Sequence, residues 1–201
     1  VESEIKAKEE NYGVSIFGES GILIAYSGDA DVVLNDPTIK AIMSDVFRGN
    51  TAITSIDLTE TSIKELPAHI FEGCFNLANI ELPENIEYIG EKAFYQTAWL
   101  DSQAEDLIVI NGQLIAYKGG PEAIIDSRVK KINSYVFNGN RNVAKIIFAK
   151  DNIIDYIEPH VFANMSSLEE VVLNENIERI APTAFLNTIY YSRNRNIYYI
   201  E

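Results

Sequence analysis

Two histidines, one cysteine and a few acidic pairs are the residues of this 201-residue chain whose types could carry chemistry. Histidine acts as a general base or metal ligand near neutral pH. A cysteine becomes a nucleophile when a neighbouring base or cation lowers its pKa. His69 stands two residues before Phe71, and His160 stands two before Phe162. That shared context decides the reading. Side chains in the same slot of a repeat lie along an array and do not converge, so the pair reads as two polar residues on the turn side of a coil. Cys74 follows Phe71 by three residues, in a slot that holds Asn50, Thr97, Asn140, Met165 and Thr188 after the other repeated phenylalanines. Small polar side chains there suit bonds to the backbone inside a turn, which makes Cys74 structural. Asp29-Ala30-Asp31 and Glu9-Glu10 are the densest acidic pairs. Neither has the spacing of a calcium loop, so both read as solvated turns. Gly18-Glu19-Ser20-Gly21 lacks the spacing of a nucleophile elbow, and GxSxG, HExxH, Walker A and GxGxxG patterns are absent. No catalytic, cofactor or metal residues emerge, and an enzyme is not expected.

Charge narrows the classes further. Lys and Arg number 16 against 30 Asp and Glu, a formal charge of −14. A nucleic-acid binder needs a basic patch, and attraction to an anionic membrane needs the same sign, so both are disfavoured. The balance permits a basic protein partner, but negative charge of this size more often serves solubility alone. With a single cysteine, no disulfide can close within the chain. No apolar run reaches the roughly 18 to 20 residues of a membrane span. The opening Val1-Glu2-Ser3-Glu4 has neither the basic nor the apolar region of a signal peptide, and the chain does not begin with Met. It is therefore expected to be a monomeric fragment of a longer protein. Asn164-Met165-Ser166 is a formal glycosylation acceptor.

The elements that position these residues are repeats. Leu23-Ile24-Ala25-Tyr26 returns as Leu114-Ile115-Ala116-Tyr117, and Glu84-Asn85-Ile86-Glu87 as Glu175-Asn176-Ile177-Glu178, a period of 91 residues. Within it, phenylalanines 47, 71, 94, 137, 162 and 185 are spaced 24, 23, 43, 25 and 23 residues. A period in the twenties marks a solenoid of stacked coils. Apolar residues follow Phe47, Phe71, Phe137 and Phe162 at +6, +9 and +11, as in Leu168, Val171 and Leu173 after Phe162. The +9 and +11 pair is strand periodicity; a further pair near +15 and +18 reads as the turn of the coil. The 43-residue gap holds a hairpin, Leu107–Ile110 and Gln113–Tyr117 around Asn111-Gly112, because both central residues of a type I′ turn need positive φ. Ile16–Tyr26 reads as the same hairpin with a longer loop. Val32-Val33-Leu34 and Ala123-Ile124-Ile125 are strand-like runs leading into the next coil. The expected organisation is one solenoid over 1–201, with a hairpin-plus-three-coil unit at 14–104, a second at 105–195, and a truncated third beginning at 196–201. Asn187-Thr188 and Ile197–Ile200 carry that third copy, and Tyr190, Tyr191, Tyr198 and Tyr199 are expected to meet a missing neighbouring coil.

Ile-x-x-x-Ala-Phe at Ile89–Phe94 joins Cys-x-x-Leu at Cys74–Leu77 and Ile-x-Leu-Pro at Ile80–Pro83. Together, over residues 14 to 189, these resemble the BspA-like (Treponema-type) leucine-rich repeats. The resemblance implies an α/β repeat, a right-handed curved solenoid with one short parallel strand per coil on its concave face and inserted β-hairpin modules. It further implies a non-enzymatic, secreted or cell-surface bacterial protein without cofactor. Its partner would be a host extracellular-matrix or surface protein, or one on a neighbouring cell. An architectural spacer and a glycan-binding accessory are the alternatives. The cysteine and the proline after the strand are each kept in a single coil, at Cys74 and Pro83.

A surface is then the remaining candidate. Strand side chains alternate, so the residue between two apolar ones points outward. Those residues are Asp57, Glu81, Ile147 and Val172, flanked by Ser55, Thr59, Asn79, Lys145, Glu170 and Asn174. The strip is partly apolar and suits contact with a protein.

Overall fold

The computed structural model describes residues 14–17 and 20–194, and the chain divides into two compact units, residues 1–103 and 104–201. The strand Ile197–Ile200 and tyrosines 198 and 199 lie outside the described residues.

The first unit contains β1 (Val14–Phe17), β2 (Ile22–Tyr26), β3 (Asp31–Val33), β4 (Ala41–Ile42), β5 (Ser55–Asp57), β6 (Glu65–Leu66), β7 (Asn79–Glu81), β8 (Tyr88–Ile89) and α1 (Ala98–Ser102). β1 and β2 form the antiparallel hairpin. β3, β5 and β7 form a parallel sheet in the register Val32, Ile56, Ile80. A second parallel ladder pairs β6 with β8, and β2 of the hairpin pairs in parallel with β4. The apolar pair near +15 and +18 is thus not only a turn, because each coil there lays down a second, two-residue strand. The runs after the hairpins are also strands of the main sheet, which the phenylalanine spacing alone did not reveal.

The second unit repeats this plan with β9 (Leu107–Ile110), β10 (Gln113–Tyr117), β11 (Glu122–Ile125), β12 (Lys131–Ile132), β13 (Lys145–Phe148), β14 (Tyr156–Ile157), β15 (Glu170–Val172), β16 (Arg179–Ile180) and α2 (Ile189–Arg193). β9 and β10 form the expected hairpin, with Asn111 and Gly112 both at positive φ. β11, β13 and β15 are parallel, as are β10 with β12 and β14 with β16. Each unit is therefore a parallel-strand solenoid opened by a hairpin.

Both cores are built on a file of aromatic rings. In the first unit Tyr26, Phe47, Phe71, Phe94 and Trp99 follow at centroid distances of 5.4, 5.7, 5.8 and 4.8 Å. In the second, Tyr117, Phe137, Phe162, Phe185 and Tyr190 follow at 5.2, 5.3, 5.3 and 5.1 Å. Each such contact adds about 0.5–1.5 kcal/mol beyond the area it buries. The hairpin tyrosine starts each file and a helix aromatic ends it. Tyr190 packs edge-on against Phe185 of its own unit. Thr97 and Thr188 N-cap the two short helices, their hydroxyls accepting from the N–H groups of Leu100 and Tyr191.

The turns beside the phenylalanines are stacked as regularly as the strands. Gly49, Gly73, Gln96, Gly139, Asn164 and Asn187 all hold positive φ two residues after a repeated Phe. A second left-handed slot lies two residues before it, at Asp45, His69, Lys92, Tyr135 and His160. The amides of Gly73 and Asn164 donate to Tyr95 and Leu186 of the following coils at 3.0 and 2.8 Å. The histidines are thus turn residues, and the Phe+3 slot binds backbone as expected. Asn50 and Asn140 accept from the amides of Ile53 and Val143 at 3.3 and 3.0 Å, and the Cys74 thiol donates to the Phe47 carbonyl at 2.9 Å.

Candidate functional site

Parallel pairing in register lines the outward side chains of each main sheet into rows running across the strands. In the first unit, one row is Asp31, Ser55, Asn79 and the next is Val33, Asp57, Glu81. This face is polar apart from Val33. The Asp31 carboxylate accepts from the hydroxyls of Thr54 and Ser55 at 2.9 and 2.8 Å, and those bonds hold it below the usual carboxylate range. Asp57 accepts from the Thr59 amide and hydroxyl at 2.9 and 2.6 Å, so its carboxylate closes the turn after β5.

The second unit differs. Its first row is Glu122, Lys145, Glu170, with the Lys145 ammonium 3.9 and 3.1 Å from the two carboxylates. Its second row is Ile124, Ile147, Val172. Ile124 is 50% exposed and Val172 38%, with Ile147 half-buried between them. Three aliphatic side chains thus stand side by side at the surface on hydrogen-bonded strands. Exposed apolar rows on a rigid sheet are a feature of contact surfaces.

Of the residues singled out from sequence, Ile147, Val172, Lys145 and Glu170 come together on this face, and Asp57, Glu81 and Asn79 share the face of the other unit. Asn174 is not free for a ligand. Its amide donates to the carbonyls of Ala149 and Asn152 at 2.7 and 2.9 Å. Glu122 and Ile124 were missed, as were Asp31 and Val33. Their signal is the repeat spacing extended back by one coil, since Glu122, Lys145 and Glu170 are 23 and 25 residues apart.

The end of the row at β11 borders a depression lined by Glu105, Asp106, Glu122, Asp126, Tyr117 and Arg128. Arg128 is held there by Asp126 at 3.0 Å and by Glu105, and its guanidinium draws Asp126 below the ordinary carboxylate range. The Tyr117 hydroxyl donates to the backbone carbonyls of Gly120 and Glu122, each at 2.9 Å; burial followed by Asp106 and Glu122 pushes its pKa up. Another depression lies over the second ladder, where Arg179 sits 4.7 Å from the Tyr156 ring centre and Lys131 pairs with Glu158 at 3.7 Å.

Groups with catalytic potential do not converge in either place. His69 Nδ1 lies 3.0 Å from Glu72 Oε2, which forms an ion pair with Arg48 at 2.7 Å on the turn side of the first unit. His160 is an exposed turn residue in the second unit. Cys74 is fully buried, and burial pushes its thiol up, away from nucleophilic use. Among the described residues, no group of three or more His, Cys, Asp or Glu could hold a metal ion, and no helix is long and apolar enough to cross a membrane.

One solved structure at 17% identity shares this fold. The leucine rich repeat protein of T. pallidum superimposes with a TM-score of 0.51 at 17% identity, over 94% of this chain and 95% of that one. The pneumococcal vaccine antigen PcpA aligns at 14% identity and a TM-score of 0.35, over 84% of this chain and 70% of that one. A leucine rich cell surface protein of Faecalibacterium prausnitzii aligns at 13% identity and 0.35, over 92% and 86%. No curated protein matches. The BspA type leucine rich repeat region matches in six copies over residues 30–113 and 118–196, which spans the phased phenylalanines and both sheets. On that match, and on coils that follow its period in both units, the chain belongs to the BspA type leucine rich repeat family.

Proposed function

We propose that this chain is a non-enzymatic interaction module of a secreted or cell-surface bacterial protein, and that the outer sheet face of its second unit docks a host or neighbouring-cell protein. The observation that carries the reading is the row Ile124, Ile147, Val172, held at the surface by parallel pairing in register. Burying such a row yields about 25 cal/mol for each Å² of apolar surface removed from water. The strands beneath are already ordered by their neighbours, so docking there costs little conformational entropy. Membership of the BspA type family supports the extracellular setting.

Biolayer interferometry against purified extracellular-matrix and host-surface proteins tests the reading. A positive protein should lose at least about tenfold in affinity to Ile147→Arg, which sets a charge in the middle of the apolar row. Silence across the panel, or unchanged binding by a folded Ile147→Arg chain, overturns it. The latter result would favour a spacer, for which the face is passive.

A further inference from the structure

The docking face has a charge bias that specifies its partner more narrowly, and this inference rests on the function proposed above. Beside the apolar row, Glu122 and Glu170 flank the single cation Lys145. At the β11 end, the carboxylates of Glu105, Asp106, Glu122 and Asp126 face one guanidinium, Arg128. That cation is itself held by two of them. Lys145 and Arg128 are thus neutralised from within, and carboxylates outnumber cations around the aliphatic strip. The whole chain is biased the same way, at −14. A partner with acidic groups at this rim would meet like charge at close range, while a cationic one would be steered toward it.

We propose that the second unit's outer sheet face takes a cationic protein surface, one that presents an aliphatic strip flanked by lysine or arginine. The strip lies across Ile124, Ile147 and Val172, and the flanking cations reach Glu122, Glu170 and the carboxylates beside Arg128. Successive outward rows on a strand are about 7 Å apart, so the partner's cations must stand about that far from its aliphatic strip.

Amphipathic 18-residue peptides supply the probe: one of leucine and lysine with the leucines at helical spacing, and its leucine–glutamate counterpart. Fluorescence anisotropy with the full chain should show binding of the lysine peptide alone, weakening as salt is added. The paired change Glu122→Gln and Glu170→Gln should weaken it by about tenfold. Glu60→Gln with Glu65→Gln removes the same net charge from the first unit and should change it less than twofold. Equal weakening by the two pairs would show attraction to net charge only and overturn the proposal. If both peptides bind alike and Ile147→Ser weakens both, the cationic partner fails while the docking face stands. If Ile147→Ser leaves every peptide unaffected, the docking face fails with it. Circular dichroism of each variant confirms that the fold is retained.

Discussion

Asn152 shows how much a single side chain can hold in a stacked coil. It is fully buried, donates to the carbonyls of Asp126 and Val129 at 2.7 and 2.8 Å, and accepts from the Ile154 amide at 3.0 Å. It thereby satisfies three backbone groups, two of them in the preceding coil. At the matching position of the first unit, Thr61 makes one bond, from its hydroxyl to the Leu58 carbonyl at 2.7 Å. Removing one partner of a buried polar contact leaves the other unsatisfied at about 1–3 kcal/mol. Asn152→Ala is accordingly expected to cost about 2–4 kcal/mol and Thr61→Val about 1, measured by urea denaturation. A loss under 1 kcal/mol at Asn152 would mean that water replaces the amide. At this scale the two histidines and the lone cysteine are turn and core residues. Their types suggested chemistry, and their slots in the repeat withdrew it.

At the scale of elements, two kinds of glycine separate two kinds of constraint. Gly73 holds φ +77 on the turn, and a Cβ added there would meet Gly49 alone, at 3.5 Å from its Cα and 3.8 Å from its N. Its constraint is conformational. Gly90 has ordinary φ, but a Cβ would lie 2.2 Å from Ala68 N and 2.6 Å from Ala68 Cα. There the obstacle is the backbone of the previous coil, whose Leu66 carbonyl already accepts from Gly90 at 2.8 Å. Gly73→Ala should cost about 1–2 kcal/mol, the price of a left-handed alanine. Gly90→Ala should cost more, since the coils must separate to admit it; thermal melts that rank the two in the opposite order would refute this account. Ala181 fills the matching slot of the second unit, so the tight spacing belongs to the Pro67–Ala68 segment and not to the repeat in general.

For the molecule as a whole, the two aromatic files bear on how it unfolds. Each starts at a hairpin tyrosine and ends on a helix aromatic of the same unit, so each unit has its own aromatic file. Phe162 is fully buried in the middle of one file and Phe71 in the middle of the other. Truncating a buried phenylalanine costs about 3–5 kcal/mol. Trp99 is the single tryptophan and packs on Phe94, which makes its fluorescence a report on the first unit. Phe162→Ala is expected to lower the stability seen by circular dichroism while leaving the Trp99 transition in place, and Phe71→Ala to shift the Trp99 transition. Equal shifts of the Trp99 transition by both variants would mean that the units unfold as one.

The solenoid, its coil length, its hairpins and most of its core were readable without coordinates. The apolar ladder after Phe47, Phe71, Phe137 and Phe162 recurs at fixed offsets, and the Asn111-Gly112 turn needs only local dihedral preferences. Such signals are local or periodic, and stacking like on like adds no new information to them. What lay beyond the sequence were facts of register and burial. That β3 and β11 join the main sheets depends on hydrogen bonds between segments 23 to 25 residues apart, and only this pairing completes the row Ile124, Ile147, Val172. The stacking of Tyr26 and Tyr117 on the first phenylalanines, and the withdrawal of Asn174 into backbone bonds, are likewise set by the neighbouring coil. A repeat pattern states which side chains are equivalent. Their partners across the stack decide which of them remain free to bind.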